Sequence, residues 1–112
     1  MLVNRKEVLN EDGSLGYIES VFKSENILKI TYFVEAQRLY IAFSRGDTYV
    51  YEGITPEFYQ EFEEAESNGK FFYKRLNKKP QYPTKRVYGL LPYEIEGFRK
   101  IIAEHDIETN DE

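Results

Sequence analysis

The stretch Leu39–Tyr51 has the sequence LYIAFSRGDTYVY and predicts a β-hairpin, around which the rest of the chain is organised. β-forming residues alternate with a period of two on both sides of Gly46, which marks the turn. A two-residue turn would give Arg45 a positive φ, which only Gly, Asn and Asp tolerate well. We therefore expect a three-residue loop with Gly46 in the left-handed conformation.

The length of this loop fixes which residues of the hairpin face each other. With three residues in the loop, Tyr49 pairs with Ile41 and Tyr51 pairs with Leu39. Both tyrosines then lie on the aliphatic side of the sheet, where cross-strand side-chain pairs stabilise it. We predict that their rings belong to the core and that their hydroxyls reach its edge.

Two further patterns extend the hairpin into an antiparallel meander. Apolar and polar residues alternate in residues 2–9 and 15–22, and Asp12-Gly13 between them is typical of a two-residue type I′ turn. The run Ile27–Val34 alternates in the same way and leads into the central hairpin. These patterns predict three strands before the hairpin.

After Gly53 the apolar period changes from two to 3.6, which predicts helices. Thr55 suits a helix N-cap and Pro56 suits the first helical position. Phe58 and Phe62 form the apolar stripe of this first helix. Its acidic residues are expected to face water, and they are Glu57, Glu61, Glu63, Glu64 and Glu66.

The remaining elements complete the predicted fold. Ser67 can cap a second helix that runs to Pro80, residues 84–88 form a short edge strand or a loop, and Pro92 opens a last helix. The sequence therefore predicts an α+β fold, with an antiparallel meander of about five strands and two or three helices packed against it.

The composition of the 112-residue chain excludes several classes of protein. There is no Cys, so disulfides and thiolate sites are excluded. No apolar run approaches 18 residues and no secretion signal is present, so we expect a cytoplasmic protein without membrane contact. No cofactor or metal motif appears, and His105 has neither a nucleophile nor an orienting partner identifiable from the sequence. We therefore expect a protein that is not an enzyme.

Charge is distributed unevenly along the chain. The net charge is −5, yet Lys70–Arg86 holds seven of the 15 basic residues and none of the 20 acidic ones. We call Lys70–Arg86 the basic segment. Its lysines and arginines are interleaved with aromatic residues, a combination that neutralises phosphates while it stacks on bases. The uneven charge predicts an acidic body with a basic binding surface.

The candidate binding residues of the basic segment follow from this pattern. Helical geometry is expected to place its charges in a ridge, because residues three and four apart share a helix face. Gly69 has two open explanations: a close approach or a tight bend between helices, or exposed amides at a helix N-terminus that receive a phosphate. The candidates for nucleic-acid or phosphate binding are Gly69, Lys70, Tyr73, Lys74, Arg75, Lys78, Lys79, Tyr82, Lys85 and Arg86.

Three spaced patterns carry a family resemblance. They are Ser24-x-x-Ile27-x-x-Ile30-x-Tyr32, then Leu39-x-Ile41-x-Phe43-x-x-Gly46-x-x-Tyr49-x-Tyr51-x-x-Ile54-x-Pro56, then Ala65-x-Ser67-x-Gly69-x-Phe71-Phe72. Together they resemble the KTSC domain, a module named for its place at the C-terminus of some lysine tRNA synthetases. Its central Tyr-x-Tyr corresponds to Tyr49 and Tyr51, and relatives tend to carry Asn where this chain has Tyr73.

The resemblance suggests how the chain is divided and what it binds. We expect one domain over residues 1–112, with a KTSC-like core at 24–77, an N-terminal hairpin at 1–23 and a C-terminal helical extension at 78–105. The acidic tail 106–112 is expected to be disordered. The family has no established activity, and the synthetase context suggests RNA binding.

These observations converge on a small non-enzymatic binding module. Its expected ligand is single-stranded RNA or DNA, or a nucleotide-type phosphate ligand, and its expected surface is the basic segment. The alternative is a protein-interaction or host-regulatory module, in which the acidic helix 57–66 mimics phosphate charge toward a basic partner protein. The sequence does not fix the oligomeric state.

Overall fold

A computed structural model of the chain describes residues 2–110, and it describes side chains for residues 2–105. The α+β fold class is confirmed, with six strands in the described residues where the sequence predicts about five. The elements are β1 (Leu2–Leu9), β2 (Leu15–Phe22), β3 (Ile27–Phe33), β4 (Arg38–Phe43), β5 (Asp47–Tyr51), α1 (Pro56–Glu64), α2 (Asn68–Arg75), β6 (Thr84–Gly89) and α3 (Pro92–Asn110).

The six strands form one antiparallel sheet whose spatial order, β1-β2-β3-β4-β5-β6, is also their order in the chain. β6 pairs with β5 along its length, which decides between the strand and the loop expected at 84–88. Helices α1 and α2 lie between β5 and β6 in sequence, so one connection carries both helices across the sheet.

The register of the central hairpin is the predicted one. Tyr49 pairs with Ile41 and Tyr51 pairs with Leu39. Gly46 has a φ of 98° and its N–H donates to the carbonyl of Phe43 at 2.8 Å, which closes the turn. The left-handed conformation needs glycine here, and a side chain would also meet Leu90 and Ile95 at 3.1 Å.

The N-terminal hairpin is present, but its turn is wider than predicted. β1 and β2 are joined by residues 10–14, not by a two-residue type I′ turn at Asp12-Gly13. The N–H of Asn10 donates to the carbonyl of Ser14 at 2.8 Å, and the Asp12 carboxylate accepts from the N–H of Ser14 at 2.9 Å. The aspartate side chain thus stabilises a wider loop, as Asx-type turns do.

One side of the sheet, the covered face, packs against α1 and α2. Its strand residues are Ile18, Phe22, Ile30, Tyr32, Leu39, Ile41 and Tyr51, all buried. Phe58 and Phe62 of α1 and Phe72 of α2 complete this core. Thr55 Oγ1 accepts the N–H of Phe58 at 3.1 Å, so the predicted N-cap of α1 is confirmed.

The other side of the sheet, the open face, carries Tyr17, Phe33, Tyr40, Ala42 and Val50 by strand alternation. Helix α3 packs over one end of it, where its side chains bury two strand residues and Leu90 in a small second cluster. That cluster consists of Leu28, Ala42 and Leu90 with Ile95, Phe98 and Ile102. The opposite end, at Tyr17, Phe33 and Tyr40, has no helix over it within the described residues.

The last helix begins at Pro92 as predicted and continues beyond His105 to Asn110. The backbone of residues 106–110 is therefore helical, whereas the sequence expects disorder from 106 onward; residues 111 and 112 of that expected tail lie outside the described residues. Among the described residues no helix combines the length and the apolarity needed to cross a bilayer.

Candidate nucleic-acid interface

The basic segment occupies three consecutive elements. Lys70 and Lys74 lie one turn apart on the exposed side of α2, while Phe72 on its other side is buried. Ser67 caps this helix by accepting the N–H of Lys70 at 3.3 Å. The segment then follows a turn and enters β6, which carries Lys85 and Arg86.

The predicted ridge of charge is wrong after Arg75, where α2 ends. Lys78 has a left-handed φ of 56°, and the N–H of Lys79 donates to the carbonyl of Leu76 at 3.3 Å. Both lysines therefore belong to a turn, and their positions do not follow helical spacing. Pro80 could not have continued the helix, but the chain leaves helical geometry one turn earlier.

The two arginines of the segment have internal partners. Arg75 forms an ion pair with Glu61 at 3.1 Å, and its guanidinium lies 5.1 Å from the centroid of the Phe71 ring. Arg86 pairs with Asp47 at 2.8 Å. The lysines differ: within the side chains that the structure describes, none of Lys70, Lys74, Lys78, Lys79 and Lys85 forms an ion pair.

Most aromatic rings of the basic segment are used for packing. Phe72 is buried, and Phe71 packs edge-on against Phe62 with ring centroids 5.2 Å apart. Tyr82 is half-buried against Phe58 at 5.3 Å, so it does not present a free ring for stacking as the sequence suggests. Tyr73 is 57% exposed and remains accessible.

A hollow of about 340 Å³ opens at the N-terminus of α2. A Cβ added at Gly69 would lie 3.8 Å from the side chains of Asn26 and Ser24, an ordinary contact distance, and Gly69 is not in the left-handed region. Close packing therefore does not require glycine there, which argues against a close approach as the reason for it. Two lysines and two glutamates share its lining, which besides Gly69 consists of Lys23, Ser24, Glu25, Asn26, Glu66, Ser67, Asn68, Lys70 and Tyr73.

One acidic residue of α1 does not face water as predicted. The Glu63 side chain is only 11% exposed, and it accepts hydrogen bonds from Ser20 Oγ at 2.7 Å and Tyr59 Oη at 2.5 Å. Arg5 of β1 pairs with the same carboxylate at 3.0 Å. Burial, and then the hydrogen bond to Glu63, raise the pKa of the Tyr59 phenol above its usual value. The i, i+4 spacing of Tyr59 and Glu63 was the available signal.

The acidic helix 57–66 was the alternative binding surface. Several of its carboxylates already form contacts within the molecule. Glu61 pairs with Arg75, Glu63 is held at the edge of the core, and Glu64 accepts a hydrogen bond from Gln60 at 3.3 Å. Only part of the acidic surface is therefore available to a basic partner.

The open face carries a row of aromatic rings that is not among the predicted binding residues. Tyr17, Phe33 and Tyr40 lie on the neighbouring strands β2, β3 and β4, with ring centroids 5.2 Å and 5.5 Å apart. The signal was available in the alternation, because Phe33 follows the inward Tyr32 and must point to the opposite side.

Comparison with known proteins fixes the family. The KTSC domain model matches residues 23–82, more than half of the chain. The chain belongs to the KTSC domain family. A crystal structure of a KTSC domain protein from Yersinia pestis has the same fold, with a TM-score of 0.57, 24% sequence identity, and coverage of 75% of this chain and 99% of that chain. Among curated proteins, none gives a significant match.

Only part of the candidate site lies within the region that matches the KTSC domain model. Gly69 and the hollow around it lie inside residues 23–82, together with the lysines of α2 and of the following turn. Lys85 and Arg86 lie outside the matched region, as does His105, which is half-buried on α3. Within the described residues, no cluster of three His, Asp or Glu side chains could hold a metal ion.

Proposed function

We propose that this KTSC domain protein is a non-enzymatic binding module for single-stranded RNA or DNA, or for a nucleotide-type phosphate ligand. The binding surface is the basic segment, and the observation that carries the proposal is the set of five lysines without ion pairs described above. Unpaired like charges repel one another, so their concentration in one segment is costly unless an anionic ligand neutralises them.

Phosphate contacts are the chemistry that these lysines suit. A lysine ammonium neutralises a phosphate and releases its condensed counterions, which favours binding at low salt. Tyr73, exposed beside Lys70 and Lys74, can add stacking on a base. The cysteine-free composition suits a reducing compartment, and we place the protein in the cytoplasm.

The test measures binding by fluorescence anisotropy with a labelled single-stranded RNA, a DNA of the same sequence and a mononucleotide. If four to six lysines and arginines contact phosphates, log K falls with log salt at a slope of about −3 to −4 for the single strands between about 50 and 300 mM salt. A slope near zero, or no binding at the low-salt end, contradicts the proposal and favours a protein partner at the acidic helix.

A double variant locates the contacts. Lys70→Glu with Lys74→Glu changes two exposed lysines that hold no ion pair, and we expect weaker binding and a slope smaller in magnitude by about 1.4. Arg75 is left unchanged because it packs on Phe71 and pairs with Glu61. The matched control, Lys6→Glu with Lys100→Glu, alters the net charge equally outside the segment. Equal losses for both double variants would show that total charge, not the basic segment, governs binding.

A further inference from the structure

We infer that the aromatic row on the open face, formed by Tyr17, Phe33 and Tyr40, is a base-stacking surface for the same single strand. The inference rests on the proposed function and specifies where the bases lie. The basic segment holds the phosphates, and the bases turn toward the sheet.

The rings of this row are placed where a core would normally cover them. Phe33, the last residue of β3, is 37% exposed and lies between the half-buried rings of Tyr17 and Tyr40. α3 packs over the other end of this face and leaves the row uncovered within the described residues. Side-by-side aromatic rings on an antiparallel sheet are a known means of stacking unpaired bases.

A groove continues the row toward β6. It has a volume of about 350 Å³, and its lining includes Tyr40 and Val50 together with Lys85 and Val87 of β6. Pockets for compact aromatic groups begin near this size. The groove therefore has room for one base beside the Tyr40 ring.

A bulge in β6 adds a fourth ring to this face. Between the pairs Tyr49↔Arg86 and Asp47↔Gly89, β6 contains one residue more than β5. Such a bulge can turn two successive side chains toward the same face, here Val87 and Tyr88. Tyr88 is 50% exposed, and burial, followed by the carboxylate of Glu94, raises the pKa of its phenol.

The groove is continuous with the basic segment. Lys85 belongs to both, and Pro83, whose carbonyl accepts the N–H of Glu52 at 3.0 Å, lies between the turn that carries Lys78 and Lys79 and the start of β6. Because α2 packs on the covered face and the groove lies on the open face, a strand that contacts both passes round the β6 edge of the sheet.

The charges at the rim of the groove favour an anionic ligand. Its rim carries two cations, Arg38 and Lys85, against one carboxylate, Glu52, which pairs with Arg38 at 2.9 Å. Lys85 thus remains available to an anion. Bases in a duplex are already stacked and cannot enter, whereas unpaired bases can, and rings without hydrogen-bonding partners accept every base. The geometry therefore points to a single strand with little sequence preference.

The test separates stacking from phosphate contacts. Binding is measured for an oligouridylate of about 12 nucleotides and for an abasic strand with the same number of phosphates. Tyr40→Val removes the ring but keeps a strand-forming side chain, and Tyr40→Phe keeps the ring. Tyr93→Ala is the matched control, since Tyr93 is 71% exposed but lies at the start of α3 outside the groove. Thermal unfolding verifies that each variant is folded.

We expect Tyr40→Val to weaken oligouridylate binding by about 5- to 150-fold and to leave binding of the abasic strand unchanged. Tyr40→Phe and Tyr93→Ala should both bind like the parent protein. Equal binding by Tyr40→Val and the parent, while the Lys70/Lys74 double variant is impaired, overturns the stacking surface and leaves the proposed function standing. A parent protein that binds neither strand overturns both.

Discussion

Both faces of the sheet carry aromatic side chains, but these side chains differ in how much of their surface is exposed. Tyr32 and Tyr51 on the covered face are 1% and 4% exposed, whereas Phe33 on the open face is 37% exposed. Strand alternation supplies aromatic rings to both sides. The connection between β5 and β6 carries α1 and α2 over one side only, so the path of the chain, and not the residue type, decides which rings are buried.

One substitution on each face tests this difference, and the one on the covered face has the largest expected effect on stability. Tyr51→Ala removes a buried ring that packs edge-on against Phe72 at 5.9 Å, and it should lower the free energy of unfolding by about 3 to 5 kcal/mol. Tyr40→Ala on the neighbouring strand should cost about 1 kcal/mol, the size of an aromatic pair contact. Urea unfolding measures both. Equal losses would show that the open face is stabilised as strongly as the covered one.

A smaller loss of stability is expected for a substitution at the edge of the covered face. Glu63→Ala leaves the hydroxyls of Ser20 and Tyr59 without their carboxylate acceptor, which should cost about 1 to 3 kcal/mol. Glu64→Ala, one residue further on the exposed side of α1, should change the free energy of unfolding by less than about 0.5 kcal/mol. If the two variants were equally stable, the buried carboxylate would contribute nothing to the fold.

The smallest expected change in folding stability appears only at high pH. Burial raises the pKa of the Tyr51 phenol above its usual value near 10, so the folded protein keeps a proton that the unfolded chain releases. The stability linked to this group is therefore complete below about pH 10 and is lost as the pH rises further, by at most about 1.4 kcal/mol per pH unit.

The Tyr51→Phe variant isolates that contribution. Urea unfolding between about pH 8 and pH 11 should show a shallower loss of stability for the variant than for the parent, and a constant difference below pH 9. Parallel curves over the whole range would mean that the Tyr51 phenol ionises alike in the folded and unfolded states.

Local chemistry explains what the sequence predicts well. The three-residue loop at Gly46 depends on the φ that Arg45 would need, and it sets the pairing of Tyr49 and Tyr51 without reference to the rest of the fold. The caps at Thr55 and Ser67 are local in the same sense, because each side chain binds an N–H three residues away.

Long-range packing explains what the sequence leaves open. Glu63 looks like a solvated helix residue until β1 and β2 bring Arg5 and Ser20 to it. Tyr82 looks like a free stacking ring until Phe58 of α1 covers it. In both cases the partner lies on an element whose position the local pattern does not specify.

The agreement between strand order and chain order has a consequence for how such a protein can be extended. In a sheet where every strand pairs with its predecessor, a strand added at either end pairs only with an existing edge strand and leaves the interior pairings unchanged. The KTSC match at residues 23–82 lies inside this chain with β1 and β2 before it and β6 and α3 after it. A core of this topology can therefore gain strands and helices at its margins, and the surfaces they carry, without any change in the pairing of its central strands.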